Sequence, residues 1–523
     1  MEGAEEAGGR RPNRWLALAV VAGCFLPVAA DATILNVAVP SLTGTLGATA
    51  REVLWIADVY PLMMVGLVLI TGPLGDRIGH KRLLTLGLTV FAAASALCSL
   101  AGTPGVLIAG RAVLAAGASM IIPATLAIIR QTFHDERQRA TAIGVWSAVA
   151  AGGAAVGPVV GGLLLERYWW GSVFLINIPV VAAVLAFVAV RLVNRTAGED
   201  EPWELTSPLL AVIGAVGTVY AVKTATRPEA PLVEAVLPGA LGLTAAALFV
   251  RRQLAAAHPM LDLSLFRQRP FRAAVVAATV PVLVLVGMEL QLAQYLQFVL
   301  GMSPQRAAVF LLPMPVAAFA AGPLAGFCVH RFGAVAVIPA GLAMAAIGYT
   351  GIGLTAAGSG TDGPGTVVLT GCLVLIGAGH GAVQTVASDA IMTGAPEERA
   401  GAAAAVESVA YELGAGFGIA LLGSLTTTLY GHAFAPPAAL AASVPPGATE
   451  SIGQAVEAAG TLDGPSAEAV VRTAGTAFAD AYQTVNAVAA VLVTAVAVAT
   501  AVALRPARPD RPDRTGGERI PVG

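Results

Sequence analysis

The 523-residue chain is 56% hydrophobic, only 12% charged, and carries a net charge of −2. Soluble domains are about 25% charged, so the composition argues against a water-soluble enzyme, and the lack of a basic excess argues against a nucleic-acid partner. Cys24, Cys98, Cys328 and Cys372 stand singly in apolar runs, which fits packing residues and neither a metal or redox motif nor a disulfide scaffold.

A bilayer span needs about 20 mainly apolar residues. Such stretches are predicted at 15–41, 53–75, 83–101, 105–129, 140–165 and 170–192, then at 205–224 and 232–250. After a polar joint they resume at 271–299, 304–329, 334–357, 366–392, 399–428 and 480–504. The expected fold is an all-α integral membrane protein of about fourteen helices. The first apolar segment lacks a convincing small-residue cleavage site and is read as a span. The stretch 430–479, with Pro436, Pro437, Pro445 and Pro446, is expected to be a mobile outer loop carrying a short amphipathic helix.

Cytoplasmic connections collect Lys and Arg. Of the thirty such residues, twenty-three fall on the side of the termini, six on the other (Arg51, Arg167, Lys223, Arg227, Arg306, Arg472), and Arg111 lies within a span. Both termini are therefore expected in the cytoplasm. Transporters are commonly built from repeated six-helix halves, which divides the chain into an N-terminal half (1–195), two inserted helices with a cytoplasmic joint (196–268), a second half with its outer loop (269–505) and a tail (506–523). A repeat supports the division. Gly72-Pro73-Leu74-Gly75-Asp76-Arg77-Ile78-Gly79 has a weaker echo in Gly322-Pro323-Leu324-Ala325-Gly326-Phe327, followed by His330-Arg331-Phe332-Gly333.

These segments resemble the major facilitator superfamily, in its fourteen-span drug:proton antiporter branch of multidrug and antibiotic efflux pumps, over nearly the whole chain. Gly72 to Arg82 is similar to the inner-loop signature. Gly144, Gly153, Gly157-Pro158 and Gly161-Gly162 reproduce the antiporter spacing in the fifth span, while Asp31 to Asn36 with Pro40, and Arg111 with Gly117, resemble first- and fourth-span motifs. Trp55 to Tyr60, Ala403 to Glu407 and Tyr411 to Gly414 resemble stretches of an exporter of lipophilic cations in this branch. By that resemblance Asp31, Asp58, Glu407 and Glu412 fall on membrane acids tied to coupling or cation recognition. The chain departs from that exporter at Ala317-Ala318, where the exporter has an acid, and at Glu289, which has no counterpart there.

An acid at the bilayer centre costs about 2.5–3.5 kcal/mol, so each should face protein or water. Asp31, Asp58 and Arg111 lie on the outer parts of their spans and are expected to converge. Asp31 is the expected proton carrier with Arg111 adjusting its affinity, against a permanent pair that only fixes packing. Asp58, Glu289, Glu407, Tyr411 and Glu412 are the substrate candidates, with Tyr411 four residues after Glu407 on one face, an arrangement suited to a lipophilic cation. Glu412 alternatively seals an interhelical bond, and Glu289 alternatively bonds Gln291 locally. His380 is read either as a titrating group or as a packing residue. The glycines at 144, 153, 157, 161 and 162, with Pro158, are expected to form a bend or seal between the halves. Gly72, Asp76, Arg77, Gly79, Lys81 and Arg82 serve either as simple positive-inside anchors or, as the resemblance favours, as an inner latch.

A phosphate-binding loop needs Gly-Lys-Ser or Gly-Lys-Thr, yet Lys81 and Lys223 follow His80 and Val222. Energy is expected from a proton gradient, without cofactor or metal. The expected function is a non-enzymatic antiporter in the plasma membrane, acting as a monomer and exporting amphipathic drugs in exchange for protons. Rivals are a dedicated exporter of one natural product, such as a self-made antibiotic or siderophore, and a membrane receptor.

Overall fold

The computed structural model describes residues 14–191, 204–226, 231–257, 259–356, 364–396, 399–441 and 443–504. Arg10, Arg11, Arg195, Arg227, Arg505, Arg508, Arg511, Arg514, Arg519, the boundary at 195–196 and the tail 506–523 lie outside the described residues. Among the described residues all regular structure is helical, as it must be where backbone groups meet lipid and each segment has to satisfy its own hydrogen bonds.

The first group comprises α1 (Arg14–Leu46), α2 (Ala50–Ile78), α3 (His80–Ser99), α4 (Pro104–Thr132), α5 (Glu136–Arg167), the single turn α6 (Ser172–Leu175) and α7 (Asn177–Arg191). A hairpin of α8 (Thr206–Ala225) and α9 (Leu232–Ala255) follows. The last group is α10 (Arg269–Gln294), α11 (Pro304–Leu311), α12 (Pro313–Phe332), α13 (Ala334–Ala356), α14 (Pro364–Thr393), α15 (Ala400–Ala433), the short α16 (Ile452–Ala459) and α17 (Gly464–Ala503). Fourteen of the helical segments among the described residues are long and apolar enough to cross a membrane.

Helix starts follow local chemistry. Thr49 and Glu52 form a reciprocal capping box at α2, Asp135 accepts from Gln138 N at α5, and Thr103 and Ser303 cap α4 and α11 ahead of a proline. Each cap satisfies an N–H that the first turn leaves unpaired. The repeat seen in the sequence has a backbone counterpart. Gly79, between α2 and α3, has φ 91° and Gly333, between α12 and α13, has φ 73°, values a side-chain-bearing residue rarely adopts.

Two large apolar cores result. One is centred on Phe91, Leu114 and Phe174 of α3, α4 and α6; the other on Phe271, Leu373 and Tyr482 of α10, α14 and α17. The α8–α9 hairpin leans on α2, where Gly66 leaves no room for a Cβ against the Pro208 carbonyl. The two helix groups meet towards the far end, opposite the end where α1 begins and α17 stops. There Ser303 Oγ donates to Glu166 at 2.9 Å, Gln297 Nε2 to the Val37 carbonyl at 3.1 Å, and Gln454 Nε2 to the Ala48 carbonyl at 3.3 Å.

The expected outer loop is shorter and tighter than its proline content suggested. α15 extends to Ala433 and α17 starts at Gly464, because Asp463 and a proline in the first turn favour helix initiation and Glu468 and Arg472 pair on an exposed face at 3.7 Å. The remaining connection is packed rather than loose: Ala448 and Ala455 are fully buried and Tyr430 donates to the Ala448 carbonyl at 3.0 Å. α16 is the predicted short helix.

At the near end Asp262 accepts from Ser264 and pairs with Arg399 at 2.8 Å. The Ser264 bonds, and then Arg399, hold its carboxyl below the usual carboxylate range. Its contribution is therefore present above about pH 4 and is lost as pH falls through the lowered folded value. Thermal unfolding in detergent between pH 5 and 3 should show an acid-sensitive component that Asp262→Asn removes.

Candidate functional site

Asp31, midway along α1, is 1% exposed. Arg111 of α4 donates from Nη1 to its Oδ2 at 2.8 Å, and Asn177 of α7 reaches its Oδ1 at 3.3 Å and Ser95 Oγ of α3 at 3.3 Å. Arg111 itself is 2% exposed, gives its Nε–H to the Ile56 carbonyl of α2 at 3.0 Å, and lies 5.1 Å from the Tyr60 ring centroid. The carboxylate itself is held by α4 and α7, and through Arg111 and Asn177 five helices join one network around it. Charges this deep persist only when paired and hydrogen-bonded. The Asp31–Arg111 pairing matches expectation; Asn177, Ser95 and Tyr60 carried no charge signal that pattern reading detects.

Asp58 does not converge on that pair. It is fully buried against Lys223 of α8, with Nζ 2.5 Å from Oδ2 and 3.9 Å from the Trp55 ring centroid. Lys223 was expected in an outer connection; it is 4% exposed inside the bundle. The error has a physical origin, since the residue occupies the last turn of α8, where an interior lysine and a flanking one share the same sequence neighbourhood.

Two acids of the second group, Glu289 and Glu412, face residues of the first, while Glu407 stays within its own group. Glu289 of α10 bonds Asn36 of α1, a contact across the groups rather than the local Gln291 bond that was one alternative. Glu407 of α15 bonds Ser388 of α14. Tyr411 is 41% exposed and lies within electrostatic reach of Glu412 and Glu289. Tyr60 is within reach of Asp31, Arg111 and Glu412 together, and Tyr349 of Glu289 and Tyr482. Tyr482 stacks on Tyr295, centroids 5.0 Å apart, at a π turn over Tyr295–Val299 that ends α10. Carboxylates with tyrosines within electrostatic reach suit a lipophilic cation. His380 lines a small, largely apolar cavity with Leu342, Tyr349 and Val383.

The α5 glycines divide. Cβ atoms at Gly153, Gly157 and Gly161 would stand 3.0 Å from Ala29 Cβ, 2.6 Å from the Ala30 carbonyl oxygen and 2.5 Å from Ile34 Cγ1. They fasten α5 to α1 within one group, which corrects the expected seal between halves. Gly162 alone faces the other group, with Gln305 Cα 2.7 Å from where its Cβ would lie, while Gly144 and Gly72 face open space. Pro158 is interior to α5. Gly157→Val should force the α1–α5 backbones apart, costing about 1–3 kcal/mol, lowering the melting temperature by several degrees and abolishing function; Gly144→Ala should change neither.

At the near-end loop Asp76 lies 3.3 Å from His80, and Lys81 donates to the Ala189 carbonyl of α7 at 3.1 Å. Arg77 and Arg82 flank them on α2 and α3. These contacts stay within the first group.

Residues 21–419 match the Major Facilitator Superfamily. The chain belongs to this superfamily. It is 44% identical to the methyl viologen resistance protein SmvA of Salmonella typhimurium, over 89% of this chain and 93% of that one. It is 36% identical to the multidrug efflux pump LfrA of Mycolicibacterium smegmatis, covering 95% and 97%, and 30% identical to the tetracenomycin C resistance and export protein of Streptomyces glaucescens, covering 82% and 79%. Its fold is similar to that of a bacterial homolog of the human lysosomal transporter Spinster, with TM-score 0.67 and 16% identity over 95% and 97% of the two chains. This superfamily member is thus a multi-pass membrane protein of fourteen candidate spans.

Proposed function

We propose that the protein exports amphipathic drugs, lipophilic cations foremost, from the cytoplasm across the plasma membrane in exchange for protons, and so confers resistance. The observation that carries this reading is the belt of Asp31–Arg111, Tyr60, Glu412, Tyr411 and Glu289–Asn36, which runs from one helix group to the other. The names of the relatives support it, since methyl viologen is a flat dication. Asp31 takes and releases the proton: protonation removes the partner of Arg111 and frees its guanidinium to follow Tyr60 and the Ile56 carbonyl. Glu289, Glu412, Tyr411 and Glu407 receive the substrate.

The halves 1–195 and 269–505 rock about this belt, with the termini cytoplasmic and the Gly72–Arg82 loop, through Asp76, Arg77, Lys81 and Arg82, acting as the inner latch. No cofactor is required, because one entering proton supplies about 2.3 kcal/mol per 100 mV and about 1.4 per pH unit. The protein works as a monomer whose partners are protons, the bilayer and a small molecule.

The test uses inverted, acid-loaded membrane vesicles. Adding methyl viologen should release internal protons only when the protein is present, and a protonophore should abolish its accumulation. Accumulation that persists after the proton gradient is collapsed would reject coupling. A dedicated exporter of one natural product, favoured by the tetracenomycin C relative, would respond to one scaffold and ignore unrelated cations.

A further inference from the structure

The inserted hairpin brings a charge to the first helix group that the expected coupling scheme did not include. Lys223, in the last turn of α8, lies 2.5 Å from the Asp58 carboxylate, and neither side chain has a hydrogen-bond partner on any other residue among the described residues. The ammonium also sits over the Trp55 ring at 3.9 Å. Both side chains are almost wholly withdrawn from the surface, at 1% and 0% exposure, so Asp58 presents no face to a solute. The geometry therefore reassigns Asp58 from substrate contact to a site of its own.

We propose that Lys223 is the internal counter-cation of Asp58 and sets its proton affinity, so that the α8–α9 hairpin takes part in coupling rather than serving as a spacer. This rests on the proton-exchange reading above. The step balances simply. A proton from the far side adds to the Asp58 carboxylate, giving a neutral acid, while Lys223 stays an ammonium held only by the Trp55 ring. Loss of the pair loosens α8 from α2.

The surroundings give that loosening an outlet. Of the other charged groups nearby, Arg51, in the first turn of α2, acts on the ammonium; the Asp31–Arg111 pair of α1 and α4 meets α2 two residues earlier, at the Ile56 carbonyl, and Glu412 of α15 faces Tyr60, so neither of these acts on the pair directly. α2 also carries the joint with the second group, where Leu62 fills the space beside Gly416 and Leu54 the space beside Gly423. A change at Asp58 is thus two residues from the Arg111 anchor and on the same helix as the seam between the groups.

The experiment measures methyl viologen-driven proton release from acid-loaded inverted vesicles as a function of external pH, with folding checked by size-exclusion chromatography and thermal unfolding. Lys223→Gln leaves Asp58 without its cation, favours the neutral acid, and should move the pH optimum at least about one unit to the alkaline side. Lys223→Arg should keep the wild-type profile. Asp58→Asn/Lys223→Gln, a neutral pair of similar shape, should fold with near-normal stability and lose that pH limb.

A wild-type profile in Lys223→Gln, or wild-type transport and profile in the double variant, would reduce the pair to a docking contact and overturn the proposal. Should Lys223→Gln fail to fold, Lys223→Arg and the double variant still decide. No proton release from the wild type would instead bring down the proton-exchange reading, and this one with it.

Discussion

Asp31→Asn is expected to lower export of every substrate at least about 100-fold while leaving a folded protein. The amide preserves size and can still bond Asn177, but it cannot carry the exchanged proton. It also strands Arg111, which is 2% exposed, beside a neutral group. Breaking one partner of a buried pair costs about 3–5 kcal/mol, so a fall in melting temperature should accompany the loss. The two effects separate in Asp31→Asn/Arg111→Gln, where both charges go together: stability should largely return and uphill export should not. Resistance of a sensitive host, together with vesicle proton release, reads the outcome. Export restored in the double variant would make the pair a packing device, the alternative that the sequence left open.

Glu289→Gln should separate cationic from neutral substrates. A unit charge about 4 Å from a carboxylate gains about 4 kcal/mol at an effective dielectric of 20, and water at a transport site screens much of this. The expected result is a KM for methyl viologen raised about tenfold or more, with the KM for a neutral aromatic substrate of similar size within about twofold. Glu407→Gln should give a smaller difference of the same sign, because Glu407 bonds Ser388 while the acids near Tyr411 are Glu412 and Glu289. Equal losses for both substrate types would remove the cation role from these carboxylates.

The architecture was legible in the chain because a span must close all its backbone bonds within its own length, so each one writes a continuous apolar run. The Asp31–Arg111 pair was legible for a related reason, as opposite charges within apolar runs have few possible partners. Gly79 and Gly333 were visible through the repeated motif around them. What stayed hidden lies between distant segments. Asn36 and Glu289 belong to helices of different groups, and nothing local to either names the other. Lys223 was hidden by position, because charge counting assigns a residue near a span end to the connection beyond it. The start of α17 was hidden because its first turns are amphipathic, a pattern that hydropathy reads as surface.

The close seam between α1 and α5 has a mechanical consequence. With Gly153, Gly157 and Gly161 leaving almost no gap to Ala29, Ala30 and Ile34, the two helices form a single plank, and Gly162 at its far edge bears on the Pro304–Gln305 corner of the opposite group. A plank pivoting at that corner swings its middle sideways while its edge scarcely shifts. Asp31 lies midway along α1, so in the rocking proposed above a small tilt at the fulcrum is magnified into displacement of the carboxylate together with the group that encloses it.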